Sequence, residues 1–463
     1  MKKHILVLTI CTLALLPAVA QETDKDAKKN AVKSYLLQHF KPYGFIRNYF
    51  TYDSRESFSG TGDLYNYQPK DVSLNAYGDD LNAQSTFRFL SMTTRIGLDI
   101  KNYQWRGTQF GGKIEADFYA GLSTKGTGTH QLSGVAQFRL RHAYMTLAWD
   151  SLSMGKTFAR IDLLLGQTWH PMAADLCDVI ALNSGAPFGP FNRSPQVRMD
   201  ARLGKYVTLT AAGLWQMQYL SIGPDGQSAD YIAYSKTPEA YLGLSVHNQG
   251  FIMRAGADLL SICPRHIGSV EDKQYGTVQV KVNDRITTVS PFLYLQYKQG
   301  EFSIKAKTIF AEAGEHMNMN GGYGVKAVNK DGSWEYTPTR TSSSWISIVY
   351  GGRVGEQEDK HPQKLQGILF GGYVHSLGTK DPLVTNVDGT LYGFWYPRAK
   401  NMNRMWRLSP TLLYTVGKFQ VGCEYEITSV QYSDGKLTPD GLSQYGLHWV
   451  TNHRVQLMTK YNF

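Results

Sequence analysis

The chain holds little of what most catalytic sites are made from. Only four cysteines occur in 463 residues, and no two form a Cys-x-x-Cys pair, so neither zinc nor thiol redox chemistry is suggested. There is no Gly-x-Ser-x-Gly elbow for acyl hydrolysis, no His-Glu-x-x-His and no close His/Cys cluster for catalytic zinc. The glycine-rich Gly321-Gly322-Tyr323-Gly324 sits in an expected loop with no helix after it, so it implies no phosphate cradle. Beyond the first twenty residues, no apolar run approaches the ~18 residues of a membrane helix. What is abundant is aromatic and glycine content. Phe, Trp and Tyr make up 13% of the chain and Gly numbers 45, while charged residues are held to 19%. That balance excludes disorder and a coiled coil, and it suits many short strands joined by turns.

The N-terminus reads as a secretory signal. Lys2, Lys3 and His4 form a basic start, Ile5 to Leu16 an apolar stretch, and Ala18-Val19-Ala20 a small-residue cleavage site before Gln21. Residues 1–20 are therefore expected to be removed, and 21–42 to form a short periplasmic segment, with a helix over Ala27–Phe40. The mature cysteines are Cys177, Cys263 and Cys423. A Cys177–Cys263 bridge is an open expectation.

From residue 43 the pattern has a period of two. Trp406, Leu408, Pro410, Leu412 and Tyr414 alternate with Arg407, Ser409 and Thr411, and Phe419, Val421, Cys423 and Tyr425 with Gln420, Gly422 and Glu424. Phe138, Leu140, His142 and Tyr144 alternate with Arg139, Arg141, Ala143 and Met145. Successive side chains of a strand face opposite ways, so each segment has one apolar and one polar face. A secreted sandwich alternates too. Segments of ten residues or more, aromatics toward strand ends and the terminal strand Arg454–Phe463 favour membrane strands. The expected fold is all-β: a transmembrane antiparallel barrel over 43–463, closed because an open edge in lipid strands its backbone groups.

Sixteen strands fit the pattern, at roughly 43–53, 86–100, 109–122, 136–148, 159–168, 195–203, 206–216, 239–247, 250–260, 286–298, 301–312, 344–352, 364–375, 405–416, 418–428 and 448–463. Counts of fourteen or eighteen stay open. Short turns at 203–205, 248–250, 299–300 and 417–418 alternate with long loops such as 54–85, 169–194, 261–285 and 313–343. Short periplasmic turns and long extracellular loops are the outer-membrane arrangement.

Parity assigns most strand charges to the inside. The polar face takes Arg47, Arg95, Lys113, Arg139, Arg141, Arg198, Arg202, Arg254, Lys305, Lys307, Arg407, Arg454 and Lys460, against Asp99, Glu115, Asp117, Asp200, Asp258, Glu424 and Glu426. A sixteen-stranded barrel is wide enough for a water-filled channel, and a positive lining would focus a field that draws anions in. Arg193 lies at the end of the long loop 169–194. That loop is expected to fold inward, with Asp175 and Asp178 facing the arginines across a constriction.

Four segments resemble a known family: Phe138-Arg139-Leu140-Arg141-His142-Ala143-Tyr144, Leu165-Gly166-Gln167-Thr168-Trp169, Asn192-Arg193-Ser194-Pro195-Gln196-Val197-Arg198 and Lys460-Tyr461-Asn462-Phe463. They are similar to the porins of Bacteroidota and to the broader group of phosphate-selective and DcaP-like trimeric porins. The resemblance implies a homotrimer passing small anionic or neutral solutes. Partners follow: outer-membrane lipid and lipopolysaccharide, and barrel-assembly machinery through the strand ending at Phe463. No nucleic acid, cofactor or metal is expected. An adhesin or structural barrel is a rival reading, and so is a substrate-specific channel with Trp334, Tyr336, Trp395 and Tyr396 as sugar-stacking or headgroup-anchoring groups. A barrel phospholipase is the enzymatic rival. It would carry a His-x-Ser pair, which is missing, and His142, expected on the outward face, is followed by Ala143-Tyr144.

Overall fold

The structure, a computed structural model, describes residues 34–36, 38–60, 64–91, 93–119, 137–150, 158–354, 362–398, 400–442 and 444–463. The expected signal at 1–20 lies outside them, as does most of the 21–42 segment.

Sixteen wall strands follow one another around a closed antiparallel barrel. They are β1 (Phe40–Asp53), β2 (Thr86–Leu90 and, after a break, Arg95–Trp105), β3 (Thr108–Tyr119), β4 (Gln137–Asp150), β5 (Phe158–Trp169), β6 (Arg193–Leu203), β7 (Val207–Leu214), β8 (Glu239–Asn248), β9 (Phe251–Asp272), β10 (Gly276–Gln299), β11 (Phe302–Glu312), β12 (Trp334–Tyr350), β13 (Gln363–Thr379), β14 (Met402–Val416), β15 (Phe419–Tyr432) and β16 (His448–Asn462). The seam joins β1 to β16, from Phe45 opposite Asn462 to Asp53 opposite Arg454. A buried bidentate pair pins its register: Arg454 donates from Nε and Nη2 to the two oxygens of Asp53, each at 2.8 Å. Tight turns close one end of the barrel. Gly300 and Gly417 take φ of +54° and +55° there, a region that glycine enters without steric cost.

Strand alternation becomes burial alternation. On β14, Arg407, Ser409 and Thr411 are buried while Trp406, Leu408 and Leu412 are exposed. On β10, Ser290, Phe292 and Tyr294 are buried and Val289, Leu293 and Leu295 are exposed. The exposed set is apolar, and in a bilayer it meets lipid. A closed barrel with such a belt is a protein of the Gram-negative outer membrane. Leu408→Arg should therefore cost about 2–4 kcal/mol, measured as a lower urea midpoint for refolding into bilayers. Thr146→Arg, at an inward position that borders open space, should cost less. Equal costs would invalidate the assignment of faces.

Several expectations change in detail. β1 begins at Phe40, three residues earlier than its sequence boundary. The predicted loop 261–285 is mostly strand: β9 and β10 pair beyond the wall to Asp272 opposite Gly276. Their 22 and 24 residues far exceed the roughly 9–11 needed to cross the bilayer, so this hairpin stands clear of it. The parity of β4 inverts midway. Glu115 pairs with His142 but Ala116 with Leu140, leaving Arg141 as the extra residue of a β-bulge. Arg139 and Arg141 still point inward, but His142, expected outside, is buried against Thr168. Cys177, Cys263 and Cys423 are all free thiols, so the considered bridge is absent.

Candidate functional site

The lumen is filled from one side. Residues 170–192 lie against the inward faces of the wall from β11 round to β1. The Asp178 amide donates to Ser347 Oγ at 3.1 Å, the Ile180 amide to Glu424 Oε2 at 2.9 Å, and Tyr49 Oη donates to the Ile180 carbonyl at 2.8 Å. Ser343 Oγ donates to the Phe188 carbonyl at 2.7 Å. The Phe188 ring approaches Gly372 so closely that a Cβ there would lie 2.5 Å from it.

Two further loops enter. A small hairpin, Ser57–Gly60 with Tyr65–Pro69, packs on β14–β16. Asn66 Nδ2 donates to Glu426 at 3.0 Å and Arg454 Nη1 to the Leu64 carbonyl at 3.0 Å. The short 3-10 turn Gly314–Met317 caps the group: the Phe191 amide donates to the Met317 carbonyl at 2.9 Å, and Asn318 Nδ2 to Tyr65 Oη at 2.7 Å. All four turn residues are buried, and burial pushes the Glu315 carboxyl up to about 7 against the pull of His316. Burial likewise raises the Cys177 thiol, with Asp178 adding to it.

Parts of the opposite wall, β2 to β9, border open space. A cavity of about 660 Å³ is bordered by Asp99, Lys101, Gln109, Tyr144 and Arg160. Another of about 310 Å³ runs between the loop residues Pro171 and Ala174 and the wall residues Arg198, Asp200, Arg202 and Arg254.

Charge gathers on this wall through cross-strand register. β2, β3 and β4 are neighbours, with Asp99 opposite Lys113, Arg95 opposite Asp117 and Asp117 opposite Arg139. Arg95 Nη1 lies 3.4 Å from Glu115, Arg141 Nε 2.7 Å from Glu115, Arg141 Nη1 2.8 Å from Asp117, Arg139 Nη2 3.0 Å from Asp117, and Lys113 Nζ 3.1 Å from Asp99. Arg193 joins from the start of β6. It is almost wholly buried, stacks 3.8 Å from the Trp169 ring centroid, and lies in the field of Arg141, Arg139 and Arg95. Five cations thus surround three carboxylates.

Other predicted lining residues sit elsewhere. Arg47 donates to Thr93 Oγ1 at 2.6 Å beside the seam. Arg198 pairs with Asp200 at 2.9 Å, and Arg202 borders the smaller cavity. Lys307 and Arg407 are not exposed to the open side at all. Both are buried beneath the loops: Lys307 bonds the Met172 carbonyl, while Arg407 holds the carbonyls of Ala186, Asn66 and Tyr67. Asp175 and Asp178 do not oppose Arg139 and Arg141. Their partners are Arg254 and, at 2.8 Å, Lys305, the wall cations nearest the loop. Trp334, Tyr336 and Trp395 pack on Tyr323 and on one another, which leaves them little face for a solute.

One constellation was invisible in the sequence. His170 Nε2 lies 2.8 Å from Glu239 Oε1 and 3.4 Å from Asp258 Oδ1. His316 Nε2 lies 3.5 Å from Glu239 Oε1 and 3.5 Å from Asp258 Oδ2. All four side chains are buried. They come from a loop, two strands and a second loop far apart in the chain, so no spacing rule reaches them.

No protein-family description matches the chain, and no curated protein does. Solved structures match over nearly its whole length. The outer membrane channel DcaP of Acinetobacter baumannii superposes with a TM-score of 0.58 at 19% identity, over 92% of this chain and 97% of that one. OprB of Pseudomonas putida gives 0.46 at 10% identity, over 94% and 97%. OmpT of Vibrio cholerae gives 0.45 at 11%, over 92% and 97%. The barrel, closed by β1 and β16 and loaded with loops from one side, has the fold of the outer-membrane porins.

Proposed function

We propose that this chain is a passive outer-membrane channel for small hydrophilic solutes that favours anions and works as a homotrimer. The observation that carries the reading is the cation-rich wall at the side of the lumen that the loops leave open: Arg95, Lys113 and Arg139 keep part of their surface there, with Arg141 and Arg193 buried beside them. Its excess of cations over Asp99, Glu115 and Asp117 attracts anions where low-dielectric walls focus the field. The loop 170–192 narrows the passage, and its own carboxylates are spent on Arg254 and Lys305, so they do not offset that wall. The reading requires no catalytic step. Assembly through the terminal strand ending at Phe463, and contacts with lipopolysaccharide, belong to it.

Liposome swelling tests it. Small dicarboxylates should enter several times faster than neutral sugars of similar mass, and sugar rates should fall smoothly with size. Saturable uptake of one sugar would favour the substrate-specific reading. Faster entry of cations would overturn the anion preference.

A further inference from the structure

We propose that His316, Glu239 and Asp258 form a buried binding site for one divalent transition-metal ion of the zinc class, with His170 as its outer-shell support. The site joins the loop after β5, the wall at β8 and β9, and the turn after β11.

Charge is the first argument. Glu239 and Asp258 are 0% and 1% exposed, and buried carboxylates need compensating positive charge. Among the described residues, their ion-pair partners are histidines alone. His170 cannot supply a charge. The Met172 amide donates to its Nδ1 at 3.1 Å, so its proton sits on Nε2, where it is given to Glu239 Oε1 at 2.8 Å. A protonated His316 would contribute one charge against two. A divalent ion balances both.

Unused lone pairs are the second argument. Neither oxygen of Asp258 accepts a hydrogen bond, and neither Oε2 of Glu239 nor Nε2 of His316 makes one. His316 places its Nδ1 3.2 Å from the Ala313 carbonyl. Donation there leaves the Nε2 lone pair pointing at the two carboxylates. A ligand histidine held through its other nitrogen by a backbone carbonyl is the usual outer-shell arrangement of a metal site.

The spacing agrees. Metal–ligand bonds of about 2.0–2.1 Å in a tetrahedron set neighbouring donor atoms about 3.3 Å apart. His316 Nε2 is 3.5 Å from each carboxylate. An imidazole with two carboxylates suits zinc or manganese better than calcium or magnesium, which prefer all-oxygen shells. The proposal is independent of which solute the channel passes.

Because the group is sealed, the metal must enter while the chain folds. The test refolds the full chain into detergent with Zn2+, Mn2+, Mg2+ or no metal, removes free ion, and measures bound metal and thermal stability. One equivalent of Zn2+ or Mn2+ is expected, with a Tm that rises with the logarithm of its concentration; Mg2+ should not bind. His316→Gln and Asp258→Asn should lose the metal while keeping the strand circular-dichroism spectrum. His170→Asn should retain the stoichiometry with affinity roughly 10–100-fold weaker. Wild-type chain that refolds without metal and binds neither Zn2+ nor Mn2+ would overturn the proposal, as would unchanged binding in His316→Gln.

Discussion

Reversing two charges on the arginine wall, Lys113→Glu with Arg139→Glu, should turn the proposed anion preference into a cation preference. The two side chains are among the more open of the cluster, 27% and 28% exposed, so they are in reach of a passing ion, and Arg141 stays in place to pair Asp117. Wild-type charge on this wall counts Arg95, Lys113, Arg139, Arg141 and Arg193 against Asp99, Glu115 and Asp117. After the exchange it counts three cations against five anions, an inversion of sign. The expected result is a change of sign of the zero-current potential across a planar bilayer in a potassium chloride gradient. The effect should be large near 0.1 M salt, where the Debye length is about 10 Å, and small at 1 M, where it is about 3 Å. An unchanged sign at low salt would remove this wall from the permeation path. Arg141 is the wrong residue for that experiment: it is 5% exposed and answers both Glu115 and Asp117, so its loss strands two buried carboxylates.

Arg407→Ala should be the most destabilising single change in the lumen, by about 3–5 kcal/mol, the cost of leaving a buried partner charge uncompensated. Arg407 Nε donates to Thr428 Oγ1 at 2.8 Å and lies 3.5 Å from Glu426. Its other nitrogens hold the Ala186 carbonyl of one loop at 3.1 Å and the Asn66 and Tyr67 carbonyls of the hairpin at 3.1 and 3.0 Å. One guanidinium thus ties two loops to the wall. The variant should unfold at lower urea and show noisier, larger single-channel currents, because both loops lose an anchor together. Arg407→Met combined with Glu426→Gln should recover part of the stability by removing the stranded charge. A loss below about 1 kcal/mol, a value usual for an exposed pair, with wild-type currents, would falsify this role.

The wall was legible because its two faces meet different solvents. Residues such as Trp406, Leu408 and Leu412 alternate with Arg407, Ser409 and Thr411 in sequence as they do in exposure. That is a local signal, and it extended to the number and order of strands. The bulge at Arg141 was not legible, since one extra residue changes no composition but reverses every side chain after it. Nor was the reach of β9 and β10, because Arg265 to Asp284 alternates weakly and reads as loop. The interior site depends on contacts between distant segments. Asp175 lacks any sequence mark of preferring Arg254 over Arg139, and Asn66 none of its place above Glu426. The cluster of His170, Glu239, Asp258 and His316 is the extreme case.

The seam between β1 and β16 places a condition on biogenesis. Its partners stand near opposite ends of the described chain, so the wall has two bare edges until nearly the last strand has been delivered. Every unpaired amide on those edges is a docking line for a neighbouring polypeptide. A chain stalled or clipped before Arg454 forfeits the lock on Asp53 as well as the final ladder. Closure of the whole wall therefore rests on that one join, since both edges stay bare until β1 and β16 pair.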